Sequence, residues 1–185
     1  GSIKRNGVYD EIMGILNAQG KCVVEFSGIM SNPTYAKVQD GAKLAWASAM
    51  AENGVLKIGK VSDFQAHQIQ HQLGAYTDCN HGAGLAVIHP VLYRHIYKSG
   101  TARFTRWAQN VWGIAPKGSD EETAAAGIDA LAAFIKEIGL PTSFAELGIP
   151  ADTDFRAVAD STNITAGCCK KLTHDEIYEI LQECL

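Results

Sequence analysis

One short stretch, Lys21–Phe26 (KCVVEF), carries the only convincing strand pattern in the chain, and everything after residue 33 reads as predominantly helical. A strand must pair its backbone N–H and C=O groups, and one strand is not a sheet. A self-contained sheet protein is therefore excluded. The pattern predicts a mostly α chain whose single strand pairs either with a second copy or with neighbours the sequence does not contain.

The helical pattern can be followed in order. In Asn6–Ala18, Val8, Ile12 and Ile15 recur at helical spacing, Leu16 widens the stripe, and Gly20 stops it. Pro33 suits the first turn of a helix that starts near Thr34 and runs to Asn53-Gly54. Its dense alanine, with Leu44, Ala47, Met50 and Ala51 in a stripe, predicts close packing on several sides. Ser62 is the expected N-cap of the next helix. Beyond the turn Thr77–Asn80, a helix carrying a kinking Pro90 is expected to run to Lys98. Ala102–Trp112 is expected to turn Phe104, Trp107, Ala108 and Val111 inward. Ser119–Glu122 and Thr173–Glu176 read as capping boxes for helices ending at Gly139 and Cys184. Between them lie a loop over Leu140–Pro150 and a helix over Ala151–Ser161.

With 185 residues, the chain can bury one sizeable core but is short for two full domains. Hydrophobic residues at 46% and charged residues at 19% indicate a globular rather than a disordered chain. The net charge of -4, without a long Lys/Arg run, argues against nucleic acid as a partner. No apolar run reaches the ~18 residues of a membrane span, and GSIKRNG lacks the apolar core of a secretory signal. The five cysteines are odd in number and contain no CxxC pair, so they read as the reduced thiols of a cytoplasmic protein, the adjacent Cys168 and Cys169 included.

Chemistry concentrates in Ser62–His89, which holds four of the six histidines. Imidazole can be neutral near pH 7 and offers two distinct nitrogens, so it suits metal ligation and proton transfer. At ~100° per residue, Ala66, Ile69, Leu73 and Tyr76 share one helix face, while Phe64, His67, His71, Gly74 and Asp78 share the opposite one. His67 and His71, four apart, can reach one metal ion, and His81 can add a third imidazole. Gln68 stands where a zinc protease of the HExxH type has its glutamate. Spacing leaves two readings open: a metal or catalytic cluster, or polar residues hydrogen-bonded within a helical core. His89 and His95 are expected to be packing residues and His174 to be solvated. The HGAG turn is a weak anion signal.

Several segments, in order, resemble the iron-containing alcohol dehydrogenase family, in particular its butanol-dehydrogenase-like branch. They are LAWASAMAENG, DFQAHQIQHQLGAYTDCNHGAGLAVIHPVLY, FTRWAQNVWGI, FIKEIGLPTSFAELGI and NITAGCCKKLTHDEIYEIL. The motif H-x3-H-x9-H-G is specific. The resemblance implies a mostly α fold: residues 44–185 as the family's helical metal-binding domain, of dehydroquinate-synthase-like type. Residues 1–43 would be a small α-β-α part of its α/β nucleotide-binding domain. It implies that His67 and His81 ligate one divalent metal, Fe2+ or Zn2+, and that His71 is a non-ligand histidine serving proton relay beside the nicotinamide. Ser2 would end the first GGGS turn, and Ser27 and Gly28 would lie near the adenosine ribose. Ser27, where NAD-preferring members tend to carry Asp, leans towards NADP over NAD.

The family's first strand, its central GGGS segment and the D-x3-H motif bearing its other two metal ligands have no counterpart in the sequence, and a seam falls near Lys43–Trp46. The resemblance thus implies a dehydrogenase or aldehyde reductase acting on a primary alcohol or aldehyde, and pairing of the Cys22–Phe26 edges of two copies would make the chain a homodimer. The absent segments imply that a chain of only these residues is an inactive helical metal-binding or assembly module.

Overall fold

The computed structural model describes residues 7–18, 35–165, 167 and 169–185. The expected strand Lys21–Phe26 and the expected cofactor residues Ser2, Ser27 and Gly28 lie outside them. Every regular element among the described residues is a helix. The chain divides into two compact units, Gly1–Val61 and Ser62–Leu185.

The first unit contains α1 (Val8–Ala18), α2 (Tyr35–Glu52) and a short 3-10 turn at Val55–Lys57. Gly54, at φ 86°, follows the end of α2. The helix runs unbroken through the sequence seam at Lys43–Trp46. Among the described residues the expected close packing of α2 is not found: Leu44 is 71% and Trp46 69% exposed. Alanine supplies helix propensity without large side chains to bury, so it predicts the helix and not its neighbours. In α1 the stripe of Val8, Ile12 and Ile15 is likewise exposed.

The second unit contains α3 (Gln65–Thr77), α4 (His81–Ile96), a 3-10 turn (Tyr97–Gly100), α5 (Thr101–Trp112), α6 (Asp120–Glu137), α7 (Phe155–Ser161) and α8 (His174–Glu183). Helix α4 is central. It packs on α3, α6 and α8, while α5 pairs with α6, and α7 with α3 and α8. Ile69 and Leu73 of α3, Ile88 and Leu92 of α4, and Ile180 and Leu181 of α8 close the core, none more than 1% exposed. Each such side chain contributes about 1.5–3 kcal/mol by leaving water. Phe144, from the loop after α6, stacks on Phe155 with ring centroids 5.6 Å apart. Its backbone N–H donates to the Cys184 carbonyl at 2.7 Å, which ties that loop to the end of α8. Burial pushes the Cys184 thiol up to about 12.

Helix ends follow local chemistry. Ser119 and Thr173 form the expected capping boxes with Glu122 and Glu176. Ser62 is not the cap of α3. Phe64 holds that position without a side-chain capping bond, and Asp63 before it holds the helix start, its carboxylate accepting from the Gln65 backbone N–H and from the Gln65 amide. Gln65, 4% exposed, reaches further. It donates to the Lys170 carbonyl at 2.9 Å and accepts from the Leu172 N–H at 2.8 Å. These bonds fasten the segment before α8 to the start of the histidine helix. Pro90 lies inside a continuous α4, which ends at Ile96 in a 3-10 turn rather than running to Lys98.

Helices α5 and α6 approach very closely at Gly127. A Cβ there would come within 2.6 Å of the Ala108 Cβ. Phe104, Trp107 and Ala108 face inward as expected, but Val111 is 62% exposed. It is the second-to-last residue of α5, just before Gly113 turns the chain away through a left-handed conformation.

Candidate metal-binding site

The site is built by the α3–α4 pair and the three residues between the helices. Asp78 takes a left-handed conformation, φ 52°, and its N–H closes α3 on the Gly74 carbonyl. Asn80 then caps α4, its side chain accepting from the Ala83 N–H at 3.0 Å. This tight reversal brings His81, the first residue of α4, against the histidine face of α3. On the opposite face, Ala66, Ile69 and Leu73 are buried as expected, whereas Tyr76 is 51% exposed.

Three imidazoles cluster there. The ring centroids of His67 and His81 lie 5.3 Å apart, those of His71 and His81 5.3 Å, and those of His67 and His71 6.1 Å. Two imidazoles bound to one tetrahedral ion through metal–nitrogen bonds of about 2.1 Å bring their centroids to roughly 5 Å. The i, i+4 pair that spacing alone favours is thus the widest, and the residue from the next helix is the nearer neighbour of both. His81 and His71 are exposed, and His67 is half-buried against Phe64, at 4.8 Å between rings.

The donor set fits a divalent ion in part. Neutral imidazoles at this spacing can supply two nitrogens. Among the described residues, no group of three or more His, Cys, Asp or Glu side chains is arranged to hold a metal ion. A third protein donor, which stable catalytic sites require, must come from elsewhere.

Two further residues stand beside the cluster, Gln70 and His89. Gln70, 2% exposed, meets the Nδ1 of His81 with its side-chain oxygen. The readable signal was a polar residue on the buried flank of α3 with Gly74 four residues on. His89 lies 6.4 Å from His67 between ring centroids. Its Nδ1 donates to the Leu85 carbonyl at 2.8 Å. Burial holds this imidazole below its ordinary value of 6.5, against the opposing influence of that hydrogen bond and of Asp63. It also packs on Tyr93 at 5.4 Å, the packing role expected of it. His95 is paired with Glu183 at 3.1 Å. His174 is half-buried, donating to the Thr162 carbonyl, rather than fully solvated.

His89 also lines a cavity of about 220 Å³ with Asp63, Tyr93, Phe104, Trp107 and Cys169. An aromatic ladder continues from it, Tyr93 to Phe104 and Trp107, then Trp112 and Phe134. Cys79, Cys169 and Cys184 are free thiols. The second glycine of HGAG, Gly84, faces Gln70 at close range, so it serves helix packing. No helix among the described residues is long and apolar enough to cross a membrane.

Comparison with known proteins follows the same lines. Residues 24–185 match the model of the Fe-containing alcohol dehydrogenase family, C-terminal. The chain is 32% identical, over 147 residues, to NADH-dependent butanol dehydrogenase A of Clostridium acetobutylicum, covering 77% of this chain and 38% of that protein. It is 32% identical over 108 residues to the NADPH-dependent aldehyde reductase YqhD of Escherichia coli, covering 58% of this chain and 28% of that protein. The crystal structure of an NADH-dependent butanol dehydrogenase A from Thermotoga maritima superposes with a TM-score of 0.70 at 31% identity, over 77% of this chain and 38% of that one. The chain thus spans well under half the length of these relatives.

Proposed function

The chain belongs to the Fe-containing alcohol dehydrogenase family, and from that premise we propose that it is the helical metal-binding part of a metal- and NAD(P)-dependent alcohol dehydrogenase or aldehyde reductase. The observation that carries this reading is the convergence of three imidazoles from two helices, with His81 5.3 Å from both His67 and His71 at a spacing suited to one ion; the family motif selects His67 as its co-ligand. In this reading His67 and His81 each give one ring nitrogen to Fe2+ or Zn2+. An ion held there would supply Lewis-acid polarisation of an alcohol or aldehyde oxygen, and a nicotinamide would supply the hydride exchange at the adjoining carbon.

His71 relays the proton. Its exposed ring, stacked near His81, can take a proton from the substrate side and release it to water. Ser2, Ser27 and Gly28 serve the nucleotide, and the absence of an acid at Ser27 leaves room for the 2′-phosphate of NADP. The apolar cavity beside His89 suits a short alkyl chain of a primary alcohol or aldehyde. Residues 1–43 belong to the nucleotide-binding part and residues 44–185 to the metal-binding part. Support comes from relatives named for butanol dehydrogenase and aldehyde reductase activity with NADH or NADPH.

The described residues supply two ligands, so a polypeptide of these 185 residues alone should hold an ion weakly and should not reduce butanal with NADPH. Calorimetric titration with Zn2+ tests the ligand assignment. His67→Ala and His81→Ala should each weaken binding at least tenfold, and His71→Ala should leave it unchanged. Loss of binding in His71→Ala, with binding intact in His81→Ala, would sink the assignment. NADPH-dependent turnover of butanal by the polypeptide alone would show that two ligands suffice.

A second reading, an assembly module without activity, is favoured by the exposed apolar side chains of α1 and α2. It calls for a homodimer, and light scattering that stays monomeric at every concentration would dispose of it.

A further inference from the structure

We propose that Gln70 is a positioning residue that fixes the ring proton of His81 on Nδ1. Gln70 is 2% exposed, and its side-chain oxygen meets Nδ1 of His81. An oxygen acceptor at Nδ1 requires the proton to be there. A neutral imidazole has one ring proton, so Nε2 keeps its lone pair, and a divalent ion can bind only a nitrogen with a free lone pair. The amide would work against metal binding if it faced the ring the other way, because its NH2 would force the proton onto Nε2.

What sets the amide is the rest of its surroundings. Its Nε2 faces the Cys79 Sγ at 3.8 Å, a sulfur able to accept. Around it two helices leave out their side chains. A Cβ at Gly84 would lie 3.0 Å from Gln70 Cγ and 3.2 Å from its Nε2, and one at Gly74 would lie 3.4 Å from the same nitrogen. A side chain in place of the second glycine of HGAG would therefore push Gln70 aside by a few tenths of an ångström, a constraint the sequence pattern does not suggest.

The inference gains its functional meaning from the proposed ligation by His81, but its test does not depend on that reading. In the metal-free 185-residue chain, held above the imidazole titration range, long-range nitrogen–proton correlation spectra report which ring nitrogen of His81 carries the proton. The native chain should show His81 protonated on Nδ1 alone. Gln70→Leu should lose that preference, and Gln70→Glu, whose carboxylate still accepts, should restore it. Gly84→Ala, which crowds Gln70 without changing its chemistry, should shift the tautomer in the same direction as Gln70→Leu.

Cobalt(II) titration adds a second readout: affinity should fall about ten- to a hundredfold in Gln70→Leu and recover in Gln70→Glu. A native His81 protonated on Nε2, or a tautomer indifferent to Gln70→Leu, overturns the proposal. If the tautomer responds to Gln70 but cobalt affinity is indifferent to His81→Ala, the positioning role stands and the ligand assignment fails.

Discussion

Helices α2 and α6 are each 18 residues long and both rich in alanine, yet they have different fates. In α6, Ala124 and Ile128 are fully buried, because Gly127 lets α5 come within contact of its backbone. In α2, Leu44 and Trp46 are largely exposed, and a Cβ at Gly41 would meet nothing within 4 Å. Small residues therefore mean close packing only where a neighbouring helix is present. Without one, they mean helix propensity and nothing more.

The sharpest way to break this contrast is to cut equal side chains from the two units. Leu73→Ala should cost about 2–5 kcal/mol in urea unfolding, since it leaves a cavity in a closed core. Leu44→Ala should stay within about 0.5 kcal/mol, as exposed substitutions do. Comparable losses at both positions would show that α2 is packed in solution.

Gln65→Ala comes next. It strands the buried Leu172 N–H and should cost about 1–3 kcal/mol, with faster hydrogen exchange in the segment before α8. The glycines form a signed pair. Gly127→Ala should destabilise by about 1–3 kcal/mol through overpacking against Ala108, whereas Gly41→Ala should stabilise α2 by up to about 1 kcal/mol. Calorimetric melting with helix content followed in parallel would read both.

The smallest expected effect is in pH dependence, and it too separates the units. Residues 1–61 contain no histidine. His89 has a depressed pKa in the fold. Below its ordinary value of 6.5, the unfolded chain takes up the proton first. Stability is then complete above that value and is lost as pH falls from it towards the folded pKa. His89→Gln should flatten the slope of stability between pH 7 and pH 5, while the helicity of α1 and α2 stays constant across that range. The exposed Asp160, held low by its hydrogen bonds to Arg156, loses its contribution only at lower pH, as pH falls through its own folded pKa.

Much of the fold was legible because its signals are local. The capping boxes at Ser119 and Thr173 act over three residues, and the buried trio Ala66, Ile69 and Leu73 follows one helical period. Local patterns mislead where a neighbour decides the outcome. Val111 fits the inward stripe of α5 but lies at its exposed end. Asp63 displaced Ser62 at the start of α3 because its carboxylate meets both the backbone and the side chain of Gln65. The histidine cluster is legible as composition; spacing by itself pairs only His67 with His71, since spacing speaks for residues on one helix, and His81 joins His67 only through the family motif. The role of Gln70 is not legible for the same reason: its partner, His81, is on α4.

The sequence by itself determined that this chain is mostly helical, where most of its helices begin and end, and which family it belongs to. Helix periodicity and capping act within a few residues, and the motif H-x3-H-x9-H-G is carried by the sequence alone. Only the tertiary structure decided that His81 stands as near His67 as His71, that Gln70 faces its Nδ1, and that one alanine-rich helix is buried while the other is exposed. Those outcomes depend on how segments far apart in sequence approach one another, and no local pattern encodes that distance.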